Sequence, residues 1–416
     1  MLPTNCRQFY PTDAVSYRTC LAAYTLIIVC GPISPYVLDM TRSYQKTGVV
    51  PIIYVHCAGF YSYFTIELPH VFPIVDTHPD PDSTQDLRLL APWPELSAEV
   101  SKLGPLEDME DHDHGHIPYL LLLLHYLEEW KELHSGSLPS TFKEKTAFRN
   151  LVRKGARTNN SEGTEENFDE ACAAVNKSIN PPSVGTGCTA MFETFDCTHL
   201  TENSADFWII ANAIKTFYTK HSVLPLPGSL PDMKARSTDY ISLQNIYKSK
   251  ARADVAEVLQ TVRATEERLK RDKFYFPKPV SETEVEQFCK NAAHVKVLSG
   301  TPLIHTRLYE SKLLDTLAKS LDDPNALEPH LTPIFLSLLQ TDDIDEVTKA
   351  KLNKLAHGNE LEEVQRAQHG ELHNIASLTG GQVAQEAIKL ITRQYVPVDN
   401  LCIFDGITSR AEVLKF

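Results

Sequence analysis

Four short apolar runs stand toward the two ends of this chain, with a long stretch of helical periodicity between them. Residues 25–30 are apolar and mostly β-branched, and Gly31 and Pro32 close the run, which predicts a buried strand. Residues 49–55 form a second such run and residues 61–68 a third. The polar–apolar segment 35–45 predicts a helix, and a strand–helix–strand succession predicts parallel pairing of the first two strands. Residues 69–117 are rich in Pro, Asp and His and read as surface connection. Pro118 then opens a helix at its first position, where no N–H is needed, and Leu120, Leu121, Leu124, Leu127 and Trp130 give the helix an apolar face.

Helical patterning continues to about residue 368. Thr141 and Glu144 have the spacing of a capping box, as do Ser281 and Glu284, and Gly155 stands where a helix would end. Ser204 is placed to cap a helix carrying Phe207, Trp208, Ile210, Ala211, Ile214 and Phe217. Residues 242–271 form a long amphipathic pattern, 342–355 a shorter one ending at Gly358, and 158–170 an acidic mobile loop. The pattern then changes again. Residues 378–392 predict a helix containing Gly380 and Gly381, 400–405 the fourth strand, Asp405 and Gly406 a turn, and 411–416 a last extended segment. A helical block thus interrupts two α/β pieces.

Composition narrows the function classes. A net charge of −14 argues against a nucleic-acid binder, whose phosphate contacts need a basic surface. The nine cysteines include no CxxC pair, which points to reduced thiols in a cytoplasmic or nuclear, soluble protein. The apolar segment 20–30 has the look of a signal-peptide core, but it is too short for a membrane span and reads better as a strand.

Candidate chemistry is sparse. Gly185, Gly187 and Ala190 match G-x-G-x-x-A, yet that motif binds phosphate only as a strand-to-helix turn, and two prolines precede it here; an ordinary loop is the expectation. His112, His114 and His116 alternate with Asp111 and Asp113 and could hold a metal, but i, i+2 spacing in a helix lead-in converges poorly, and a polar capping loop is expected. No GxSxG or HExxH is present. Cys172 and Cys289 sit in helical patterns, Cys188 and Cys197 in loops, and each would need a lowered pKa to act as a nucleophile. Gly380 and Gly381 weaken their helix by about 1 kcal/mol each relative to alanine, which suggests close approach of another backbone or a helix start at this point.

Several segments carry a resemblance: residues 111–119 (DHDHGHIPY), 143–153 (KEKTAFRNLVR), 205–211 (ADFWIIA), 224–233 (LPLPGSLPDM), 240–250 (YISLQNIYKSK) and 371–389 (ELHNIASLTGGQVAQEAIK). They resemble the regulatory subunits of neddylation activating enzymes, and the last is similar to the closing helix of the wider ubiquitin-activating family. The resemblance implies an α/β fold: a truncated Rossmann-like domain of the ThiF type, interrupted by a large, mostly α-helical insertion. On that basis residues 1–110 are expected to form a partial adenylation-type domain, 111–368 the insertion and 369–416 the return to the α/β domain.

The resemblance further implies a non-catalytic subunit of a heterodimer. Its catalytic partner subunit would hold ATP and magnesium, adenylate the ubiquitin-like modifier and carry the thioester cysteine. No catalytic, cofactor-binding or metal residue is then expected on this chain, nor a nucleic-acid or membrane partner. Family members begin with a complete nucleotide-type α/β half, whereas this chain begins near a middle strand, about a hundred residues short of that half-fold. One of the strands 25–30 or 50–55 should then have an open edge. Two other readings are a free-standing α/β enzyme, which needs an early glycine-rich phosphate turn, and a helical scaffold, adaptor or degenerate paralogue with no activating role.

Overall fold

The computed structural model of the chain describes residues 24–32, 34, 50–80, 86–159, 163–181, 184–271, 278–300, 330–341, 346, 349–350, 352, 358–368 and 370–415. Packing divides the chain into two compact units of a mixed α/β protein: unit one, Met1–Ile74 with Val297–Phe416, and unit two, Val75–Lys296.

Unit two is helical. Its helices are α1 (Pro94–Ser101), α2 (Asp111–His114), α3 (Tyr119–Leu133), α4 (Phe142–Gly155) and α5 (Glu166–Ser178). There follow α6 (Thr186–Glu193), α7 (Phe195–Thr198), α8 (Asp206–His221), α9 (Ser237–Leu269) and α10 (Glu282–Lys290). Helix α3 is apolar almost all round and is buried accordingly, from Tyr119 through Leu124 and again at Tyr126, Leu127 and Trp130. Its cluster takes in Phe148 and Val152 of α4, Phe168 and Val175 of α5, and Leu243 and Tyr247 of α9. Leu87, Leu89, Trp93 and Leu96 join the same cluster, so the segment expected to be a surface connection is in part core. Trp93 meets the Tyr247 ring edge-on at 4.9 Å, and the Tyr247 hydroxyl donates to the Leu87 carbonyl at 2.6 Å.

Helix ends follow the sequence signals unevenly. Pro118 is the N-cap of α3, with an extended ψ of 129°, rather than its first helical residue. Its carbonyl accepts the first helical N–H bonds, from Leu121 and Leu122, a role that requires no N–H of its own. Gly155 is the last residue of α4, and Ala156 takes the C-cap position. Ser204 lies one residue outside the cap of α8, which is Ala205; its hydroxyl accepts from the Thr201 N–H instead. Ser281 is the N-cap of α10 but makes no side-chain capping bond. Helix α9 starts at Ser237, five residues before the expected pattern, and α5 starts at Glu166, inside the expected loop.

The capping box of α4 is complete. The Glu144 N–H donates to Thr141 Oγ1 at 3.2 Å, and the Thr141 N–H donates to Glu144 Oε2 at 2.8 Å. Backbone donation from Thr141, then from Ser140, holds the Glu144 carboxyl at about 2, well below its ordinary 4.5. A group whose pKa falls on folding stabilises above its unfolded value and loses that contribution as pH drops through the folded value. The box is therefore expected to act fully above pH 4.5 and to fade toward pH 2. Glu144→Gln, which removes the titrating carboxyl, should destabilise unit two at neutral pH and clearly less at pH 3, in urea titrations at both pH values. An equal loss at both would contradict the linkage.

Unit one is built on a five-stranded sheet in the order β1-β2-β3-β6-β7. The strands are β1 (Ile27–Cys30), β2 (Ile52–Ala58), β3 (Tyr61–Glu67), β6 (Leu401–Asp405) and β7 (Arg410–Leu414). Strands β4 (Phe72–Val75) and β5 (Val295–Leu298) form a separate pair where the chain leaves and re-enters this unit. The first two strands pair in parallel, Ile27 opposite Ile52, as the pattern predicts. The other pairings are antiparallel, and β2 turns into β3 through Gly59 and Phe60, with Gly59 at a positive φ of 56°, not through a crossover.

Alternation sorts the sheet's two faces. Ile52, Tyr54, Tyr63, Leu401 and Ile403 pack with Ile334, Phe335 and Leu338 of α11 (Thr332–Leu339) and Val364 of α12 (Asn359–Ala367). Ile53, Phe64, Ile66 and Cys402 pack with Val383 and Leu390 of α13 (His373–Thr392). β2 and β3 are thus buried on both faces, whereas β1 alternates and leaves Ile28 49% exposed. Among the described residues β1 pairs only with β2.

The chain changes compact unit at 74/75 and 296/297. Leu87, Leu89, Trp93, Leu96 and Leu106 pack in the helical cluster, and Leu331, Phe335, Leu352 and Val364 against the sheet. The helix expected over 35–45 lies outside the described residues, as does most of that over 342–355.

Candidate functional site

The glycine motif opens a helix, as its spacing permits, but serves packing. Gly185 is the N-cap of α6 and Gly187 lies in its first turn. A Cβ on Gly187 would stand 2.1 Å from the Val295 carbonyl oxygen and 3.3 Å from Lys296 Cα. Only a bare Cα fits against that backbone, and the element before the motif is a helix rather than a strand. The expected loop is therefore a helix start, and its glycines answer to a neighbouring carbonyl.

The four candidate thiols are all buried. Desolvation pushes Cys188 and Cys289 up to about 12 and Cys197 to about 11, and raises Cys172 as well. Each is a neutral thiol near pH 7, the opposite of an activated nucleophile. Cys188 and Cys197 lie in α6 and α7, not in loops.

The histidine run splits in three directions. His114 turns inward, its Nδ1 2.7 Å from Glu165 Oε1, and stacks on Phe168 at 5.0 Å. The Arg157 N–H donates to the other oxygen of Glu165 at 2.7 Å. Asn167 Nδ2 donates to the carbonyls of His114 and Ile117, which fixes the turn into α3. His112 and His116 instead lie side by side, ring centroids 4.3 Å apart and tilted by 35°. Asp111 accepts from Arg157 and Asp113 from Arg236, each at 2.8 Å. Among the described residues no three His, Cys, Asp or Glu side chains gather to hold a metal ion.

Gly380 and Gly381 lie mid-helix in α13, and a Cβ on either would meet nothing within 4 Å. Close approach of a neighbouring backbone, the expectation from sequence, is not what places them there. The rest of that segment is tied to the sheet: Thr379 Oγ1 lies 2.6 Å from Ser62 Oγ, and buried Glu386 accepts from Lys389 at 2.6 Å and from the Val398 N–H at 2.8 Å.

Two resemblance segments of unit two are joined by α9. Buried Asp254 accepts from the Leu226 N–H at 3.0 Å and from Lys250 Nζ at 2.6 Å. Gly228, at φ +77°, brings the loop within 2.8 Å of Ala251 Cβ for any added Cβ. Arg88 donates to the Leu224 carbonyl and pairs with Asp86 at 3.1 Å. Around these contacts lies a cavity of about 260 Å³ whose lining includes Arg88, Lys177, Leu224 and Lys290. The sequence reading did not single out these cations. They lie far apart in the chain and share no spacing that could have marked them.

No family model matches the chain. Curated relatives do. It is 31% identical over 397 residues to the NEDD8-activating enzyme E1 regulatory subunit of Danio rerio, covering 88% of this chain and 72% of that one. It is 31% identical over 422 residues to the subunit named AXL in Arabidopsis thaliana, 94% and 77% of the two chains. The subunit from Saccharomyces cerevisiae is 25% identical over 409 residues, 94% and 78%. Matches of that extent take in both units, so that the helices of unit two and the sheet of unit one belong to one shared pattern: the chain is a member of the NEDD8-activating enzyme E1 regulatory subunit family.

Proposed function

We propose that this chain is the non-catalytic half of a heterodimeric activating enzyme for the ubiquitin-like modifier NEDD8. The catalytic partner subunit holds ATP and magnesium, adenylates the modifier and carries the thioester cysteine. In this reading unit one is the chain's share of a Rossmann-like, ThiF-type adenylation fold, and unit two is the helical insertion, with the boundaries of 1–110, 111–368 and 369–416 moved to those of packing. The protein works in the cytoplasm or nucleus. No helix among the described residues is long and apolar enough to cross a membrane.

The observation that carries the reading is the reach of the similarity to regulatory subunits, 88% of the chain at 31% identity. The desolvated thiols of unit two support the division of labour, since a thioester nucleophile works as a thiolate. The test is reconstitution. The purified chain alone should neither hydrolyse ATP nor form a thioester with NEDD8, and addition of the catalytic subunit should give a stable complex and a reducible NEDD8 thioester on that subunit. A reducible adduct on Cys188 or Cys197 without partner would overturn the reading. A chain that binds no catalytic subunit would point to the scaffold or degenerate-paralogue alternative.

A further inference from the structure

Two cavities of unit two share a lysine. The first, about 260 Å³, has apolar walls from Val223 and Leu224. The second, about 700 Å³, is floored by Leu226 and by Val255 and Leu259 of α9. Pro227 and Lys290 line both. Lys290 is exposed in the last turn of α10 and makes no hydrogen bond or ion pair among the described residues.

The charge here runs against that of the protein. The chain carries a net −14, yet the first cavity is lined by Arg88, Lys177 and Lys290 against one acid, Asp86, which Arg88 already binds. In the second, Arg252 and Lys248 stand with Lys290 against Glu282 and Glu286. A local positive field in an acidic molecule selects anions by contrast with its surroundings. The apolar walls call for aliphatic groups on the same ligand, and two cavities either side of one lysine call for an extended one.

We propose that these cavities form a docking groove for an extended acidic segment of a partner protein. One carboxylate of that segment pairs with Lys290, and aliphatic side chains on either side enter the two cavities. The ammonium gains a carboxylate partner, and the aliphatic groups contribute through burial.

The proposal goes beyond the activating-enzyme reading, and its test uses the full chain without any partner subunit. A fluorescein-labelled peptide of alternating leucine and glutamate is titrated with the chain and followed by anisotropy. Saturable binding is expected, at least about tenfold tighter than that of the glutamine counterpart and weakened by salt; the lysine counterpart should not bind. Lys290→Glu should weaken the glutamate peptide by at least about tenfold, while Lys154→Glu, on exposed α4 surface, should leave it unchanged. Tryptophan fluorescence confirms that both variants are folded. No saturable binding by about 1 mM, or binding that Lys290→Glu leaves within about twofold, would overturn the proposal.

Discussion

Gly187→Val is expected to unfold unit two, and Gly187→Ala to destabilise it by about 3 kcal/mol or more. The Cβ would lie 2.1 Å from the Val295 oxygen and 3.2 Å from its carbon. Both are backbone atoms, so no rotamer change relieves the clash, and the helix or the strand must move. Helix α6 is held by buried Cys188, Met191 and Phe192, and an outward shift would open voids beside all three. Overpacking into flexible surroundings costs about 1–3 kcal/mol, and a rigid partner places this site at or above the top of that range. With total domain stability of about 5–15 kcal/mol, the larger side chain removes most of the margin. The measurement is selective. The protein's three tryptophans, Trp93, Trp130 and Trp208, all lie in unit two, so fluorescence in a urea titration reads that unit. Gly381→Ala supplies the contrast: with open space around it and a helical backbone, it should stabilise unit one by up to about 1 kcal/mol, read by circular dichroism. A Gly187→Ala variant within about 0.5 kcal/mol of the parent would show that α6 and the 295–296 backbone separate easily.

The two glycine pairs show where sequence reasoning reaches its limit. Residues 185–187 read as a loop and are a helix start pressed against a carbonyl; Gly380 and Gly381 read as a close contact and face open space. Glycine reports that a side chain is missing, not what would have met it, and that partner is set by tertiary packing. Local signals fared better. The β-branched runs gave β1, β2 and β3 within two or three residues, and the reciprocal bonds of Thr141 and Glu144 are those the spacing implies. The parallel β1–β2 pair was legible because an intervening segment forces a crossover. The position of β6 beside β3 was not, since nothing local in residues 401–405 names a partner about 340 residues earlier; the Ser62–Thr379 bond spans 317 positions in the same way. Proline and aspartate around Leu87, Leu89 and Trp93 mask side chains that end up buried. Of the candidate site, the motifs marked the relatives correctly, but the cations of the groove carry no shared spacing and became visible only when α5, α10 and the 224–229 loop were placed together.

Glu165→Ala should cost unit two about 3–5 kcal/mol, the second large effect and one that a histidine run read as a surface loop would not suggest. The Glu165 and His114 side chains are 1% and 3% exposed, so water cannot take over from either partner. Truncating the carboxyl strands the buried His114 ring and the part-buried Arg157 N–H, at about 1–3 kcal/mol for a buried group. His114→Phe keeps the stack on Phe168 but leaves one carboxyl oxygen without its partner, and should cost somewhat less. The cycle closes with His114→Phe combined with Glu165→Ala, which removes the polar pair together and leaves the Arg157 N–H unsatisfied. Replacing a buried polar pair by apolar groups is milder than breaking it, so the double variant should lose less than the sum of the two single changes by at least about 1 kcal/mol. Urea titrations followed by tryptophan fluorescence give all four corners of the cycle. Strict additivity, or a Glu165→Ala loss below about 1 kcal/mol, would mean that the pair is a bystander and that Asn167, through its bonds to the His114 and Ile117 carbonyls, holds the entry to α3 by itself.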